Sequence, residues 1–191
     1  MISSALQFLL NSVLGLLTMM FLLRFIMQAL RVSFHNPIGQ MVMALTDFAV
    51  KPARQFVPSW KKNDLSTLLL AFITQVILKF VMLWLSDFPF AVADVPVWPN
   101  IFALSLIGVV SVILDIFFYA LLLHVILSWV NPHSPIAPVL HSITRPILSP
   151  IQRIIPAMGG IDLSPLVAIL LLQMLKVPVI GTLTRSLSTF L

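Results

Sequence analysis

The sequence predicts an all-α integral membrane protein whose chain crosses the bilayer four times. Of its 191 residues, 60% are hydrophobic and only 9% are charged, whereas soluble domains are about 45–50% apolar and about 25% charged. Four stretches reach the roughly 20 apolar residues that a spanning helix needs. The segments between them repeat once along the chain. A water-soluble fold is excluded because too few polar side chains are available to cover its surface.

The four predicted spans cover residues 6–30, 65–85, 101–130 and 163–183. Each is long enough to cross the hydrocarbon core of a membrane as a helix. A cleaved signal peptide is not expected, because no basic residue precedes Arg24 and the apolar run is too long for a signal peptide.

Basic residues in the short connections predict the orientation of the spans. The linker 87–100 contains two aspartates and no basic residue. The other two connections carry the basic residues Lys51, Arg54, Lys61, Lys62, Arg145 and Arg153. Both basic connections are therefore expected in the cytoplasm and both termini outside. Arg185 is the one basic residue that does not fit this orientation, because it lies near the outer C-terminus.

The chain is predicted to contain two tandem copies of one pattern. Residues recur 98 positions later around a shared Asp-Leu-Ser element, which occupies residues 64–66 and again 162–164. Since each copy contains two spans, the copies share one orientation and form a parallel repeat. The predicted domains are repeat 1 at 1–86, a non-cytoplasmic linker at 87–100 and repeat 2 at 101–191.

Each copy is predicted to join its spans by an amphipathic helix, at about 37–57 and about 135–155. The polar faces hold four lipid-facing basic residues, Lys51, Arg54, Arg145 and Arg153. Such helices lie in the headgroup plane with the basic residues toward anionic lipid. Pro52 and Pro150 are expected to kink or break them. A re-entrant hairpin covered by protein is the alternative, and the basic face favours the interfacial form.

Charged residues lie at the starts of two predicted helices and inside three predicted spans. Asp64 and Asp162 directly precede apolar helices and are predicted to cap them. Asp115, Lys79 and Lys176 lie inside predicted spans, at similar depths of about 20–22 Å from the cytoplasmic ends. We expect Asp115 to face one of the two lysines at the interface between the copies, while the remaining lysine extends toward the outer surface.

A polar stripe is predicted along the first span, since Arg24, Gln28, Arg31 and His35 follow helical spacing. One interpretation is a cation-lined vestibule open to the cytoplasm. The other is that the basic side chains extend to lipid phosphates while Gln28 bonds to a neighbouring helix. The second is favoured, because a pore needs more polar positions than these spans provide.

No catalytic, metal or cofactor site is predicted, and the protein is expected not to be an enzyme. Cysteine and glutamate are absent, and the four histidines lack acidic or Cys partners at ligand spacing. Nucleophile-elbow, P-loop and dinucleotide-binding motifs are also missing from the sequence. The formal net charge of +5 is scattered, which indicates contact with anionic lipid headgroups and not with nucleic acid.

These motifs together resemble the YggT family of small bacterial membrane proteins, which has YlmG-type relatives in other bacteria and in plastids. The residues that carry the resemblance are Arg24, Asn36-Pro37, Thr46-Asp47, Lys51-Pro52, Arg54, Pro58 and Asp64-Leu65-Ser66, with Asn131-Pro132, Arg145-Pro146, Pro150, Arg153 to Pro156 and Asp162-Leu163-Ser164 in the second copy. Tyr119 stands where Arg24 would align. The resemblance implies a multi-pass protein of the bacterial plasma membrane, loosely associated with osmotic or ion homeostasis, cell division and envelope organisation.

Two functional hypotheses follow. The first is a non-catalytic envelope or scaffold protein that acts on the bilayer through its basic amphipathic segments and on membrane-protein partners or further copies of itself through its helices. The alternative is a small channel or transporter component in osmotic or ion homeostasis, which would work as an oligomer.

Overall fold

The computed structural model describes residues 2–57, 64–86, 97–155 and 162–188. Within these ranges every regular element is helical, which confirms the all-α prediction. The elements are α1 (Ile2–Ala29), α2 (Pro37–Phe56), α3 (Leu65–Leu85), α4 (Val97–Val130), α5 (Ala137–Ile154), α6 (Ser164–Leu175), a π-helical turn (Lys176–Ile180, here the π-turn) and α7 (Gly181–Ser188).

Four stretches among the described residues are long and apolar enough to cross a membrane: Ser4–Ala29, Leu65–Leu85, Val97–Val130 and Ser164–Leu187. The four predicted spans are thereby confirmed, although the third begins four residues earlier than expected. The fourth combines α6, the π-turn and α7. With 34 residues, α4 is about 51 Å long and exceeds the roughly 30 Å hydrocarbon thickness.

The main apolar core forms where α1, α3 and α4 pack against one another. Phe21, Leu22 and Met27 of α1 are almost completely buried in it, together with Ala71 of α3. Residues of α2 and α5 close this core at the end where α1 terminates, and they include Val50, Val139, Leu140 and Ile143. The last span packs mainly on α4 and α5, through a smaller cluster of Leu121, Leu148 and Ala168. It is therefore the least enclosed of the four.

The first span ends in a tight turn that the sequence pattern did not indicate. The Val32 N–H donates to the Met27 carbonyl and the Arg31 N–H donates to the Gln28 carbonyl, over 2.8 and 3.0 Å. Arg31 adopts a left-handed φ of 56°, so these contacts form the helix-ending motif that usually has glycine at this position. Asn36 then begins α2, since its side-chain Oδ1 accepts the Gly39 N–H at 2.8 Å.

The helices α2 and α5 continue through their internal prolines. Pro52 lies in the last turns of α2, and Pro146 and Pro150 lie within α5. Each proline removes one backbone donor, yet none ends the helix. Of the two effects expected of Pro52 and Pro150, a break of the helix does not occur, and a kink stays a prediction.

Replacing Gly39 with alanine is expected to destabilise the fold by about 2 kcal/mol, the range for overpacking. A Cβ there would lie 2.6 Å from the backbone Cα of Phe34 and 2.7 Å from its carbonyl oxygen, so the turn before α2 must shift. The measurement is equilibrium unfolding in detergent. Gly15→Ala is the matched control, because nothing lies within 4 Å of its Cβ position, and it should be neutral or stabilise by up to about 1 kcal/mol. Equal effects of the two substitutions would contradict the prediction.

Candidate functional site

Arg24 joins the first span to α2 through a buried polar contact. Its side chain lies in the protein interior, and only 4% of the residue is exposed. Its guanidinium donates to Thr46 Oγ1 at 2.6 Å and to Asp47 Oδ1 at 2.7 Å. The Thr46 hydroxyl in turn donates to the Val42 carbonyl. Both expectations for Arg24 are therefore wrong, because it neither lines an open vestibule nor extends to lipid phosphates.

The rest of the predicted polar stripe does not form. Gln28 lies one turn beyond Arg24, and its Oε1 is buried without a hydrogen-bond partner among the described residues, as is Arg24 Nε. Arg31 and His35 lie beyond the end of α1 at Ala29 and are exposed. The prediction that Arg31 shares a helix face with Arg24 and Gln28 is wrong, because the helix ends before Arg31 and helical spacing no longer applies there.

The carboxylate of Asp47 is shared between two cations. Besides Arg24, it accepts Lys51 Nζ at 2.9 Å. The hydrogen bond from Lys51, followed by that from Arg24, lowers the pKa of Asp47 below its ordinary value of 3.8. Lys51 remains largely exposed, but its charge is balanced within α2.

The junction between α2 and α3 is closed by Asp64. Its Oδ1 accepts the Ser66 N–H at 3.1 Å, so it caps α3, and its Oδ2 accepts Arg54 Nε at 2.7 Å. The Ser66 hydroxyl also donates to the Val57 carbonyl. Arg54, predicted to face lipid, is therefore held by a buried carboxylate of its own chain, and that prediction needs correction.

The junction between α5 and α6 has the same contacts 98 residues later. Asp162 Oδ1 accepts the Ser164 N–H at 2.9 Å and its Oδ2 accepts Gln152 Nε2 at 2.9 Å. Gln152 thus occupies the place of Arg54, and the Ser164 hydroxyl lies 3.5 Å from the Ile155 carbonyl. This junction is more exposed and lacks the ion pair.

Acid is expected to remove the contribution of Asp64 to stability. Burial raises the pKa of Asp64, but hydrogen bonds from Arg54 and Ser66 outweigh it, so that its pKa lies below the ordinary 3.8. Its stabilisation is therefore fully present above that value and is lost as pH falls through the lower folded-state pKa. Asp64→Asn should cost about 1–2 kcal/mol at neutral pH. The difference in unfolding free energy between wild type and variant should shrink in acid, and a difference that persists unchanged there would contradict the prediction.

Asp115 and Lys176 form an ion pair inside the predicted spans. Lys176 donates a hydrogen bond to Asp115 Oδ1, and both side chains are about a third exposed or less. Both residues belong to the second predicted copy, so the expected placement between the two copies is wrong for this pair. Lys79 is half-buried and forms no ion pair within the part of the chain that the structure describes.

Lys176 also begins the π-turn, which ends at Ile180 and contains Pro178. A proline cannot donate to the carbonyl four residues before it, and single π-helical turns are a common way for a helix to accommodate an irregularity. The ion pair therefore lies where the last span departs from regular α-helical geometry.

Two histidines meet between α4 and α5, a contact that sequence reasoning missed. The rings of His124 and His141 have centroids 5.9 Å apart. No spacing rule connects them, since a turn separates their helices. Among the described residues, no three His, Cys, Asp or Glu side chains come together in a way that could hold a metal ion.

The elements and contacts described above define the class of protein: an all-helical, multi-pass membrane protein with two additional helices packed at one end of its spans. The family model described as CCB3/YggT matches residues 3–85 and 103–183. The chain belongs to this family, which confirms the resemblance.

Three relatives align along almost their whole length. An uncharacterised protein of Pseudomonas aeruginosa is 34% identical over 186 residues, covering 95% of this chain and 91% of the relative. An uncharacterised protein of Vibrio alginolyticus is 37% identical, with 89% and 90% covered. The uncharacterised protein YggT of Escherichia coli is 36% identical, with 92% and 89% covered. No solved structure is significantly similar.

Proposed function

We propose that this protein is a non-catalytic scaffold of the bacterial plasma membrane, whose helices α2 and α5 lie at the cytoplasmic face and contact anionic lipid and membrane-protein partners. The observation that carries the proposal is the three-sided surface of α2. One side, with Val42, Thr46 and Val50, packs against the spans. A second side exposes apolar residues, including Phe48 at 69%. The third is polar and includes Lys51.

Such a helix suits the boundary between lipid and water. Its exposed apolar row, Met41, Leu45, Phe48 and Phe56, would enter the acyl region, while its polar side faces the headgroups. A re-entrant hairpin would need protein around its backbone on every side, whereas the side chains of this row are 44–83% exposed. The helix α5 differs, because its apolar residues Val139, Leu140, Ile143 and Leu148 are covered by protein. Its exposed residues include the polar His141, Arg145, Gln152 and Arg153, and also Ile154 at 80%.

We further propose that residues 1–86 and 101–191 are parallel tandem repeats, joined by a linker at 87–100 outside the cytoplasm. The matching junctions at Asp64 and Asp162 support this, as does the match of the family model in two segments. The basic residues near α2 and α5 support the cytoplasmic placement of these helices.

Function in cells is expected to depend on the exposed apolar row of α2. The experiment complements a deletion strain under osmotic challenge with Met41→Ser/Phe48→Ser, which should lose activity although the protein is inserted at the wild-type level. Leu170→Ser/Met174→Ser removes two exposed apolar residues from the last span and tests whether any loss of apolar surface has the same effect. Full activity of the α2 variant would contradict the proposal.

The competing function is a channel or transporter component, which the intramembrane pair of Asp115 and Lys176 at the π-turn favours. Ionisable groups inside spans commonly mark ion pathways. The discriminating experiment is ion and osmolyte flux in proteoliposomes that contain the full chain. The scaffold proposal expects no flux above that of empty liposomes. Flux that Asp115→Asn abolishes would overturn it in favour of transport.

A further inference from the structure

A cavity of about 490 Å³ opens between α5 and the end of α1. Leu30, the first residue after α1, forms part of its wall. The helix α5 contributes His141, Arg145, Ser149 and Arg153. These four residues of α5 follow one another at intervals of four, so they lie along one side of the helix. The cavity is within the size range of small-molecule sites, about 300–1,000 Å³.

The polar side chains that line this cavity are suited to an anion. The guanidinium groups of Arg145 and Arg153 supply only donors, and the Ser149 hydroxyl can donate as well. The Ser142 hydroxyl already donates to the Pro138 carbonyl. No carboxylate is among the lining residues. Arginine presents a planar fork of N–H groups that matches two oxygens of a phosphate at once.

Arg145 and Arg153 differ from Arg24 and Arg54, each of which is paired with an aspartate of this chain. Every aspartate among the described residues is already bonded elsewhere: Asp47 to Arg24 and Lys51, Asp64 to Arg54, Asp115 to Lys176 and Asp162 to Gln152. Neither Arg145 nor Arg153 forms an ion pair within the described ranges. Moreover, Arg145 stands 98 positions after Asp47, where the first half of the chain carries the acid that balances its cations.

With α2 and α5 placed at the cytoplasmic face as proposed above, the cavity lies at the level of the lipid headgroups. It adjoins Leu30, at the terminus of α1, and it faces the exposed polar side of α5. The same end of the bundle carries α2 with its exposed apolar row. A headgroup phosphate could therefore enter the cavity from the membrane surface.

We propose that this cavity is a binding site for a phosphate group, held by Arg145 and Arg153 and presented by an anionic phospholipid or by a soluble phosphate. The inference rests on the proposed placement of α5 at the cytoplasmic face and adds a defined ligand chemistry to it. A site of this kind would bind one headgroup specifically, in contrast to the diffuse attraction of a basic surface.

The test measures binding of fluorescent phosphatidylglycerol to the full chain in phosphatidylcholine nanodiscs. Arg145→Gln should weaken binding about tenfold, the effect of losing one charge-assisted contact. Lys51→Gln is the matched control, since it removes one exposed cation from the other amphipathic helix. It should change binding less than about twofold. Helical content of both variants is checked by circular dichroism, and the exposed position of Arg145 makes loss of the fold unexpected.

Two further arms identify the source of the phosphate. Inorganic phosphate and glycerol phosphate are titrated against the bound lipid. If neither soluble phosphate displaces the lipid and Arg145→Gln still weakens lipid binding, the site is assigned to the lipid. If a soluble phosphate displaces the lipid when both are present at the same concentration, the site is assigned to a soluble phosphate. Equal losses in Arg145→Gln and Lys51→Gln, or no binding by wild type, would overturn the site. This experiment measures binding and not ion flux. Its result therefore stands even if a flux measurement overturns the scaffold proposal.

Discussion

Replacing Asp47 with asparagine is expected to destabilise the folded protein by about 3 kcal/mol, because it leaves a buried cation without its counter-charge. Arg24 is only 4% exposed and depends on Asp47 for its one carboxylate contact among the described residues. Thr46 provides a neutral acceptor, which cannot balance the charge. The measurement is unfolding in mixed micelles, followed by the helical circular dichroism signal.

The control for this prediction removes the other cation that Asp47 binds. Lys51 has a side chain that is 72% exposed, and exposed pairs contribute about 0–1 kcal/mol, so Lys51→Gln should have little effect. The double variant Arg24→Met/Asp47→Asn should be more stable than Asp47→Asn alone, since it removes the orphaned charge as well. Equal destabilisation by Asp47→Asn and Lys51→Gln would show that the buried charge of Arg24 is not the cause of the lost unfolding free energy.

Local features of the fold could be predicted from sequence, because each depends on neighbours in the chain. The apolar runs predicted all four spans. The Asp-Leu-Ser elements predicted where α3 and α6 begin, since a cap needs only a short acceptor and the N–H groups just after it. The amphipathic spacing likewise located α2 and α5.

The partners of Arg24 and Arg54 could not be predicted in the same way. Both contacts form only once α2 folds back on α1 and α3, and they join residues 22, 23 and 10 positions apart. Helical spacing alone placed these cations on surfaces facing water or lipid. The positive φ of Arg31 was equally inaccessible, because the position usually has glycine and nothing nearby indicates the turn.

The depth of the intramembrane charges narrowed the partner of Asp115 to two lysines without choosing between them. Depth follows from the rise per residue, whereas the choice depends on how each helix is rotated and on which helices are neighbours. The last span packs on α4, and it is Lys176 of that span that reaches Asp115. The sequence therefore left two lysines as possible partners, and the packing of the last span on α4 selects Lys176.

Asp115→Leu is expected to destabilise attachment of the last span to α4 by about 3 kcal/mol. The substitution strands the ammonium group of Lys176 inside an apolar span, where insertion scales give about 2.5–3.5 kcal/mol for a charge. The exposed part of the pair faces lipid in the proposed arrangement, so water does not screen it as it would a surface pair. The smaller contact cluster of this span, with Leu121, Leu148 and Ala168, offers little to compensate.

The measurement is hydrogen exchange of the backbone amides from Ser164 to Leu187, which should become faster in Asp115→Leu while those of α1 and α3 remain protected. Asp115→Leu/Lys176→Leu should restore most of the protection, because it removes both charges and retains apolar contact. Lys79→Leu is the control for removing an intramembrane lysine that has no ion pair among the described residues, and it should be neutral or stabilising. If the double variant exchanged as fast as Asp115→Leu alone, lost packing would account for the effect, because the stranded charge of Lys176 would no longer be present.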